Sequence, residues 1–328
     1  MLTLDGNHAR MAKKILLTDY AWADLDIERR TLSAAGCELI VAPAKDAASL
    51  ARAATDVDAI MTNWAKVTAE VIESAPRLRI VARLGIGLDN IDVACATRRK
   101  IVVTNVPDYC LIEVAEHALA LMLALARKVA FYHWQTKSGK YDLAAGPTLA
   151  RIEGQTLGVV GLGNIGRVLA AKAQGLGLKV VATSRSGRDV PAGVKLVSLD
   201  DLLATSDYVS LHVPVVPETR HLIGPRALAR MKPSAYLINT ARGGLIDNAA
   251  LAQALAAGRL AGAGLDVQDP EPPDLATAPW NDPRVIVTPH AAFASRESLE
   301  NLRSRVSRQV AMYLSGQRPE NVVNPEVL

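Results

Sequence analysis

One stretch limits the possible folds of this 328-residue chain more than any other, the pattern G-L-G-N-I-G at residues 161–166. It follows the apolar run Leu157–Val160, which is typical of a buried strand, and it opens the helical stretch Arg167–Gln174. Such glycines permit a tight turn, a close approach of the backbone to a pyrophosphate and close packing of a helix whose N-terminus carries positive partial charge. Another apolar run, Lys179–Thr183, follows at the distance expected of a βαβ unit. The sequence therefore predicts a dinucleotide-binding loop that comprises Gly161, Gly163, Asn164, Ile165 and Gly166.

Short β-branched runs alternate with Ala- and Leu-rich helical stretches along the chain. This alternation is typical of parallel strands joined by crossover helices, so the predicted fold class is α/β. The first series of predicted strands comprises Lys14–Thr18, Glu38–Ala42, Ala59–Thr62, Ile80–Arg83 and Ile101–Thr104, with helices at Glu28–Ala35 and Ala47–Ala53. The second series comprises Leu157–Gly161, Lys179–Ser184, Tyr208–His212, Ala235–Asn239, Gly262–Asp266 and Val285–Thr288. Six strands would complete a Rossmann-type sheet.

Two long helical stretches bear on the domain organisation. Half of the residues are apolar, and the length exceeds that of the usual single core, so two domains are the first expectation. A helix predicted over Glu113–Val129 has no preceding strand of its own series and could link the domains. Apolar residues recur at helical spacing from Ser295 to Leu314, which predicts a C-terminal helix that packs back on an earlier domain.

Charge and cysteine content exclude several classes of function. The 37 basic and 33 acidic residues nearly cancel and are scattered, so we expect neither a nucleic-acid nor a membrane partner. The N-terminus lacks a signal-peptide pattern, and the most apolar run, Ala118–Ala126, is about half as long as a bilayer-spanning helix. Cys37, Cys95 and Cys110 lack the spacing of a zinc site or a disulfide framework. We therefore expect no metal and a reducing, cytoplasmic location.

The residues that follow the second predicted strand of the cofactor domain bear on which nicotinamide cofactor is used. An NAD enzyme usually carries an acidic residue there to bind the adenosine ribose. Here the positions are Ser184, Arg185, Ser186 and Arg188. Hydroxyl and guanidinium donors can bind a 2′-phosphate, so NADP(H) is favoured over NAD(H). The alternative is that these arginines are solvated loop residues.

Three residues near the ends of late strands suggest catalysis. His290 can donate a proton to a ketone or remove one from an alcohol, and Glu271 can orient its ring and favour the protonated form. Arg242 can bind a substrate carboxylate through two hydrogen bonds while polarising the neighbouring carbonyl. By itself, each residue could be structural. Arg242 could cap a strand end, Glu271 could be an exposed loop acid and His290 could be a buried histidine.

Together, and in this order after the glycine loop, these residues resemble the D-isomer-specific 2-hydroxyacid dehydrogenases. That family includes glyoxylate/hydroxypyruvate reductases, phosphoglycerate dehydrogenases and formate dehydrogenases, and C-terminal-binding corepressors are similar to it. The resemblance covers nearly the whole chain. Its further marks are the segments Arg83–Asp92, Asn105–Asp108, Glu113–His117, Leu211–Pro214 and Pro217–Arg220.

The resemblance implies further site residues and a domain plan. The substrate carboxylate would be received at Leu84, Gly85, Ile86 and Gly87, with Arg242 and His290. The cofactor would also be contacted by His212, Val213, Pro214, Thr240, Ala241 and His290, with Asp266 on the nicotinamide carboxamide. A flavodoxin-like substrate domain at residues 1–107 and 293–328 would accompany a dinucleotide-binding domain at 108–292. The family also implies hinge closure and a homodimer formed through the cofactor domain.

The leading interpretation is NAD(P)H-dependent reduction of a small 2-keto acid, of the glyoxylate or hydroxypyruvate type, to the D-2-hydroxy acid or the reverse. One alternative is a 3-phosphoglycerate-type dehydrogenase, in which Arg83 or Lys66 would contact phosphate, although we expect both to be surface charges. Another is a dinucleotide-sensing, corepressor-like interaction protein. Formate dehydrogenases carry Gln where Glu271 stands, which disfavours formate oxidation. Candidate walls of the substrate pocket are Trp64, Tyr109 and Phe293.

Overall fold

A computed structural model describes residues 12–328, and it contains twelve strands and eleven α-helices in that part of the chain. The strands are β1 Lys13–Leu17, β2 Cys37–Val41, β3 Ala59–Thr62, β4 Ile80–Arg83, β5 Val102–Thr104, β6 Thr156–Val160, β7 Lys179–Thr183, β8 Val194–Leu196, β9 Tyr208–Leu211, β10 Tyr236–Asn239, β11 Gly262–Leu265 and β12 Val285–Val287. The helices are α1 Asp26–Ala34, α2 Ala47–Ala54, α3 Ala69–Glu73, α4 Val93–Arg98, α5 Leu111–Ala126, α6 Val129–Lys137, α7 Asn164–Gly175, α8 Leu199–Thr205, α9 Pro225–Arg230, α10 Asn248–Ala256 and α11 Arg296–Leu314. The predicted α/β class is confirmed.

The chain divides into two compact units, the first made of the described residues up to Tyr109 together with Ser295–Leu328. Its five parallel strands lie in the order β2-β1-β3-β4-β5, which is the flavodoxin-like order. Alternate residues of β1 enter two different cores: Ile15 and Leu17 face one side of the sheet, and Leu16 faces the other. Such strands are buried on both faces, which explains their continuous apolar runs.

The C-terminal helix α11 belongs to the core of the first unit, as its apolar spacing predicted. Leu302, Val306 and Val310 are fully buried in the same cluster as Ile15 of β1. Ser295 caps the first turn through a reciprocal pair of hydrogen bonds with Ser298.

A buried ion pair also joins α11 to α1. The Arg303 guanidinium donates to both carboxylate oxygens of Glu28, each at 2.8 Å, and Glu28 is completely enclosed. The first unit therefore needs its last helix both for its apolar core and for the charge balance of Glu28.

The second unit, Cys110–Ala294, contains seven parallel strands in the order β12-β11-β10-β9-β6-β7-β8. The strand order reverses between β6 and β9, which is the position where such sheets bind ligands at their carboxyl ends. Six strands were predicted, and the seventh is the edge strand β8. Its three residues, Val-Lys-Leu, are partly to largely exposed, so their sequence carries too little apolar signal to be recognised.

The helix predicted over Glu113–Val129 ends earlier than expected, at Ala126. Lys128 adopts a left-handed conformation with a φ of +54°, which breaks the helix before α6 begins. Helix α5 packs against α7 and against the β10–β11 pair of the second unit. Among residues 12–328, no helix has both the length and the apolar character that crossing a bilayer requires.

Candidate active site

The glycine loop follows β6 and opens α7, as predicted. A Cβ on Gly161, whose φ is +99°, would lie 2.6 Å from the His212 carbonyl oxygen, and a Cβ on Gly166 would lie 2.3 Å from the Gly161 carbonyl oxygen. Neither position can carry a side chain without moving the backbone. A Cβ on Gly163, by contrast, would meet no atom within 4 Å. The exposed backbone at Gly163 therefore borders open space at the start of α7, which fits a bound pyrophosphate.

The segment after β9 lies against this loop, at the point where the strand order reverses. His212 donates its backbone N–H to Val160 at 2.8 Å, and Val213 packs against Gly161. The His212 ring lies 2.8 Å from the Ser210 hydroxyl. Burial lowers the pKa of His212 to about 4, so the ring is neutral at physiological pH. The predicted residues His212 and Val213 therefore adjoin the glycine loop, and the exposed Pro214 follows them in the chain.

The positions assigned to the ribose phosphate lie on an exposed loop directly after β7. Ser184 is half-buried, whereas Arg185, Ser186 and Arg188 are exposed. The Ser184 hydroxyl accepts the Gly187 N–H at 3.1 Å, and the Ser186 hydroxyl accepts the Arg188 N–H at 3.3 Å. These bonds give the loop a local fold while both guanidinium groups stay accessible to a ligand.

His290 and Glu271 form the predicted pair. The His290 Nδ1 lies 2.9 Å from Glu271 Oε2, and the other carboxylate oxygen accepts the Gln268 N–H at 2.8 Å. An ionised carboxylate can only accept, so Nδ1 carries a proton and Nε2 is left to exchange one. The His290 side chain is 26% exposed, which makes proton transfer to a bound molecule feasible.

The loop that carries His290 is folded around the carboxylate of Asp266. Asp266 Oδ1 accepts the Thr288 hydroxyl at 2.6 Å and the Ala291 N–H at 2.9 Å, while Oδ2 accepts the Ala292 N–H at 2.9 Å. The Asp266 carbonyl also accepts the His290 N–H at 2.8 Å. His290 has a φ of +53°, a conformation that non-glycine residues keep only when their surroundings fix it.

His117 of α5 completes this network. Its Nε2 lies 2.9 Å from the Thr288 hydroxyl and 3.4 Å from Asp266 Oδ1. Because the single proton of Thr288 goes to Asp266, His117 must donate to Thr288. Burial alone would raise the pKa of Asp266, but hydrogen bonds from His117, Thr288, Ala291 and Ala292 outweigh it and hold the pKa below its usual value. Asp266 therefore stays ionised inside the protein.

Arg242 follows β10 in a turn that the buried Asn239 holds. The Asn239 amide donates to the Arg242 carbonyl at 2.8 Å and accepts the Ala241 N–H at 3.0 Å. The Arg242 Nη1 donates to the Ala241 carbonyl at 2.7 Å. Arg242 is partly buried and Ala241 is half-buried.

Gly243 brings this turn against the segment that carries Glu271. A Cβ at Gly243 would lie 2.0 Å from the carbonyl carbon of Gln268, so the two backbones are in direct contact. The structure thus brings the Arg242 turn next to the Gln268–Glu271 loop.

Within the part of the chain that is described, the buried hydroxyl of Thr240 has no hydrogen-bond partner. An unpaired buried donor at a strand end fits a ligand that would bind it.

The predicted residues Leu84–Gly87, Lys66 and Arg83 all belong to the first unit. Leu84–Gly87 follow β4 of the first unit, with Leu84 and Gly85 buried. Lys66 is exposed, as expected, but the expectation that Arg83 is a surface charge is wrong. Arg83 is 8% exposed because its guanidinium is bound to backbone carbonyls, including that of Gly87 at 2.9 Å.

The three candidate wall residues differ in their surroundings. Trp64 is 37% exposed, and the buried Asp19 holds its backbone by accepting the N–H groups of Trp64 and its two neighbours. Tyr109 packs against the core of the first unit. Phe293 meets the His290 ring edge-on in the second unit, with 6.1 Å between ring centroids.

Sequence reasoning missed several supporting residues. His117 was noted only as part of a motif, and Thr288, Gln268 and Asn239 were given no role. The motif containing His117 was a usable signal, but the sequence does not say which strand end that helix faces.

Among residues 12–328, no cluster of His, Cys, Asp and Glu side chains could hold a metal ion. A glycine loop at a sheet's switch point, with a His–Glu pair at neighbouring strand ends, defines a dinucleotide-dependent oxidoreductase.

Comparison with known proteins specifies the class. Residues 119–292 match the model of the D-isomer specific 2-hydroxyacid dehydrogenase, NAD binding domain. A glyoxylate reductase of Korarchaeum cryptofilum is 42% identical over 270 residues, which cover 80% of this chain and 81% of that one. A D-3-phosphoglycerate dehydrogenase of Mycobacterium tuberculosis is 40% identical over 291 residues, 85% of this chain but 53% of its own length.

A solved structure is similar over almost the whole chain. It is an NADPH-dependent glyoxylate/hydroxypyruvate reductase of Sinorhizobium meliloti in complex with NADP and malonate, with 28% identity and a TM-score of 0.86 over 95% of this chain and 98% of that one. The chain therefore belongs to the D-isomer-specific 2-hydroxyacid dehydrogenase family, which confirms the resemblance seen in the sequence. It is an NAD(P)-dependent 2-keto acid reductase of that family.

Proposed function

We propose that this protein reduces glyoxylate to glycolate or hydroxypyruvate to D-glycerate and prefers NADPH to NADH. The observation that carries the proposal is the His290–Glu271 contact of 2.9 Å at the carboxyl edge of the dinucleotide sheet. The glyoxylate reductase at 42% identity and the NADPH-dependent glyoxylate/hydroxypyruvate reductase of similar structure support this substrate class.

The reaction needs a hydride at the substrate's C2 and a proton at its carbonyl oxygen. The reduced nicotinamide supplies the hydride when bound. His290 donates the proton from Nε2 as the imidazolium and is left as the neutral ring, while Glu271 accepts Nδ1–H, orients the ring and favours its protonated form before the transfer. In the second unit, Arg242 binds the substrate carboxylate and polarises the carbonyl group. For the first unit, the role of the Leu84–Gly87 backbone N–H groups in binding a substrate carboxylate stays a proposal that follows from the family resemblance. In the reverse direction His290 takes the proton back.

The cofactor would be held by groups of the second unit. The backbone of the Gly161–Gly166 loop binds the pyrophosphate. The unpaired Thr240 hydroxyl offers a further hydrogen bond, and Ala241 and the His212–Pro214 segment supply the other proposed contacts. Ser184, Arg185, Ser186 and Arg188 bind the 2′-phosphate. The expected contact of Asp266 with the nicotinamide carboxamide stays a prediction, and its carboxylate already accepts three hydrogen bonds from its own loop.

The competing enzyme function is oxidation of 3-phosphoglycerate, which the 40% identity to a phosphoglycerate dehydrogenase favours. The buried guanidinium of Arg83 weakens it, because that group is committed to backbone carbonyls. The corepressor-like function has no comparable support. A cytoplasmic location is part of the proposal, since the three cysteines lack the spacing of a disulfide framework.

The test is an initial-rate assay that follows reduced-nicotinamide absorbance. Glyoxylate, hydroxypyruvate, pyruvate and phenylpyruvate are each offered with NADPH and then with NADH, and 3-phosphoglycerate is offered with each oxidised cofactor. We expect the highest kcat/KM with glyoxylate or hydroxypyruvate and NADPH. Turnover of 3-phosphoglycerate alone would replace the proposal with its competitor, and a preference for NADH would refute the role of the 184–188 loop.

We also propose that a second copy of the chain covers α6 and the segment after it. Helix α6 has no buried residue, and the large side chains of Trp134, Tyr141 and Leu143 are 70%, 93% and 79% exposed. Apolar groups exposed together usually mark an interface. Trp134→Glu should convert a dimer to a monomer in analytical ultracentrifugation, whereas Leu275→Glu, at another exposed apolar position, should not. A monomeric wild type would refute this part of the proposal.

A further inference from the structure

Residues Leu84–Gly87 form a loop after β4. All four of its backbone carbonyl groups accept hydrogen bonds from donors of the first unit. Arg83 accounts for two of them. Its Nη1 donates to the Leu84 carbonyl, and its Nε donates to the Gly87 carbonyl at 2.9 Å. The side chain of Arg83 therefore turns back and holds both ends of the loop that follows it.

The two middle carbonyls are held by the segment after β5. The Val106 backbone N–H donates to the Gly85 carbonyl at 3.1 Å, and the Asn105 side-chain amide donates to the Ile86 carbonyl at 2.8 Å. Each peptide group of the loop therefore has its oxygen turned toward the protein.

This arrangement determines where the loop N–H groups point. In a trans peptide the C=O and the N–H of the next residue point in opposite directions. With their carbonyls turned inward, the N–H groups of Gly85, Ile86 and Gly87 turn outward. Within residues 12–328 none of these three N–H groups has a hydrogen-bond acceptor. A row of unpaired backbone N–H groups is an anion-binding concavity, and a carboxylate fits it.

The guanidinium of Arg83 is itself fixed in place. It also donates from Nη1 to the Thr62 carbonyl at 3.5 Å and to Asn63 Oδ1 at 3.4 Å, at the end of β3. A Cβ on Gly85 would lie 2.8 Å from Nη1, so the loop backbone rests directly on the guanidinium. A lysine has one ammonium group and no planar fork, and it cannot hold two carbonyls in this geometry.

We propose that Arg83 is a positioning residue for the substrate carboxylate. Its charge-assisted bonds to the Leu84 and Gly87 carbonyls hold the loop N–H groups outward, so that they can bind the carboxylate of a 2-keto acid. Arg83 acts through the loop, and Asn105 assists at its centre. This inference rests on the proposed function in one respect, that the loop receives the substrate carboxylate.

The test compares Arg83→Met and Arg83→Lys with Lys66→Met, which removes an exposed charge of the same unit. Binding of oxamate, a non-reacting analogue of a 2-keto acid, is measured by calorimetry on the cofactor-loaded protein, together with kcat and KM for glyoxylate. Loss of charge-assisted bonds that organise the loop should weaken oxamate binding and raise KM by about 10- to 100-fold in both Arg83 variants. We expect much smaller changes in kcat and in cofactor affinity, and none in Lys66→Met.

An uncharged substrate separates positioning from general damage. Pyruvamide carries a neutral amide in place of the carboxylate, so its turnover should fall much less than that of glyoxylate in the Arg83 variants. If the Arg83 variants do not fold, Asn105→Ala removes a single loop contact and should raise the oxamate dissociation constant by about 3- to 10-fold.

Unchanged oxamate affinity in Arg83→Met, full rescue by Arg83→Lys, or an equal loss with pyruvamide would each overturn the inference. A wild type that binds oxamate but reduces no keto acid would refute the proposed function while leaving the role of Arg83 open to the same calorimetric comparison.

Discussion

Removal of the Thr288 hydroxyl tests how the loop that carries His290 is held. In Thr288→Val the side chain keeps its shape, but Asp266 loses a donor at 2.6 Å and His117 loses an acceptor at 2.9 Å. A hydrogen bond to a charged group contributes about 1.5–3 kcal/mol, so the free energy of unfolding should fall by about 2 kcal/mol.

The same change should reduce turnover because His290 is held in a costly conformation. A non-glycine residue in the left-handed region carries roughly 1–3 kcal/mol of strain, which the Asp266 contacts must outweigh. If about 2 kcal/mol of that support is lost, the equilibrium between the held and the relaxed loop shifts by about 30-fold. We therefore expect kcat to fall by up to about 30-fold, with the KM for NADPH unchanged.

The pH dependence has a defined sign. Hydrogen bonds hold the pKa of Asp266 below its usual value, so its ionised form contributes stability above the unfolded pKa and loses it as the pH falls through the folded pKa. Thr288→Val removes one of these bonds and brings the folded pKa closer to the unfolded value. The acid loss of stability and activity should therefore begin at a higher pH than in the wild type.

The assay combines urea unfolding with initial rates measured across the acid range, and Thr288→Ser, which keeps the hydroxyl, is the control. The serine variant should behave like the wild type. If the valine variant kept the wild-type kcat, unfolding midpoint and acid limb, the hydroxyl would not support the loop and the reasoning above would be refuted.

Three further predictions concern separate parts of the molecule. His290→Ala should abolish most turnover while cofactor binding, measured by fluorescence titration, stays near wild type; unchanged turnover would remove His290 from the mechanism. Glu28→Ala should lower the free energy of unfolding by up to about 3 kcal/mol, because the buried Arg303 loses its bidentate partner and keeps only the ion pair with Asp24 at 2.9 Å. A loss below about 1 kcal/mol in urea unfolding would contradict this. Replacing both Arg185 and Arg188 by Ala should raise the KM for NADPH by about 10-fold or more, because charge-assisted bonds to the 2′-phosphate are lost. The KM for NADH should stay unchanged. Equal effects on both cofactors would contradict 2′-phosphate binding.

Those features of the fold that depend on local sequence could be predicted. Gly161, Gly163 and Gly166 were recognised because each stands at a fixed place between a strand and a helix. The buried strands were recognised because both of their faces are apolar. The edge strand Val194–Leu196 was missed because it is short and partly exposed. The end of α5 was placed too late because Lys128, which breaks the helix, has no distinctive local signal.

The site itself was predictable only where a residue's chemistry is characteristic. The His290–Glu271 pair followed from the types of residue and their order, and the structure brings the two together at 2.9 Å. His117 and Thr288 escaped notice because their role depends on contacts between α5 and a strand end far along the chain. Arg83 was misjudged as a surface charge because sequence does not reveal that a neighbouring loop will fold over its guanidinium.

The split composition of the first unit has a consequence for synthesis on the ribosome. Its sheet is encoded before the second unit, whereas Leu302, Val306 and Val310, which complete its core, are encoded after the second unit. The second unit, Cys110–Ala294, is encoded without interruption. Domains usually fold in the order in which they emerge. Here the second unit can finish first, and the N-terminal segment must wait, with one face of its sheet only partly covered, until α11 leaves the exit tunnel.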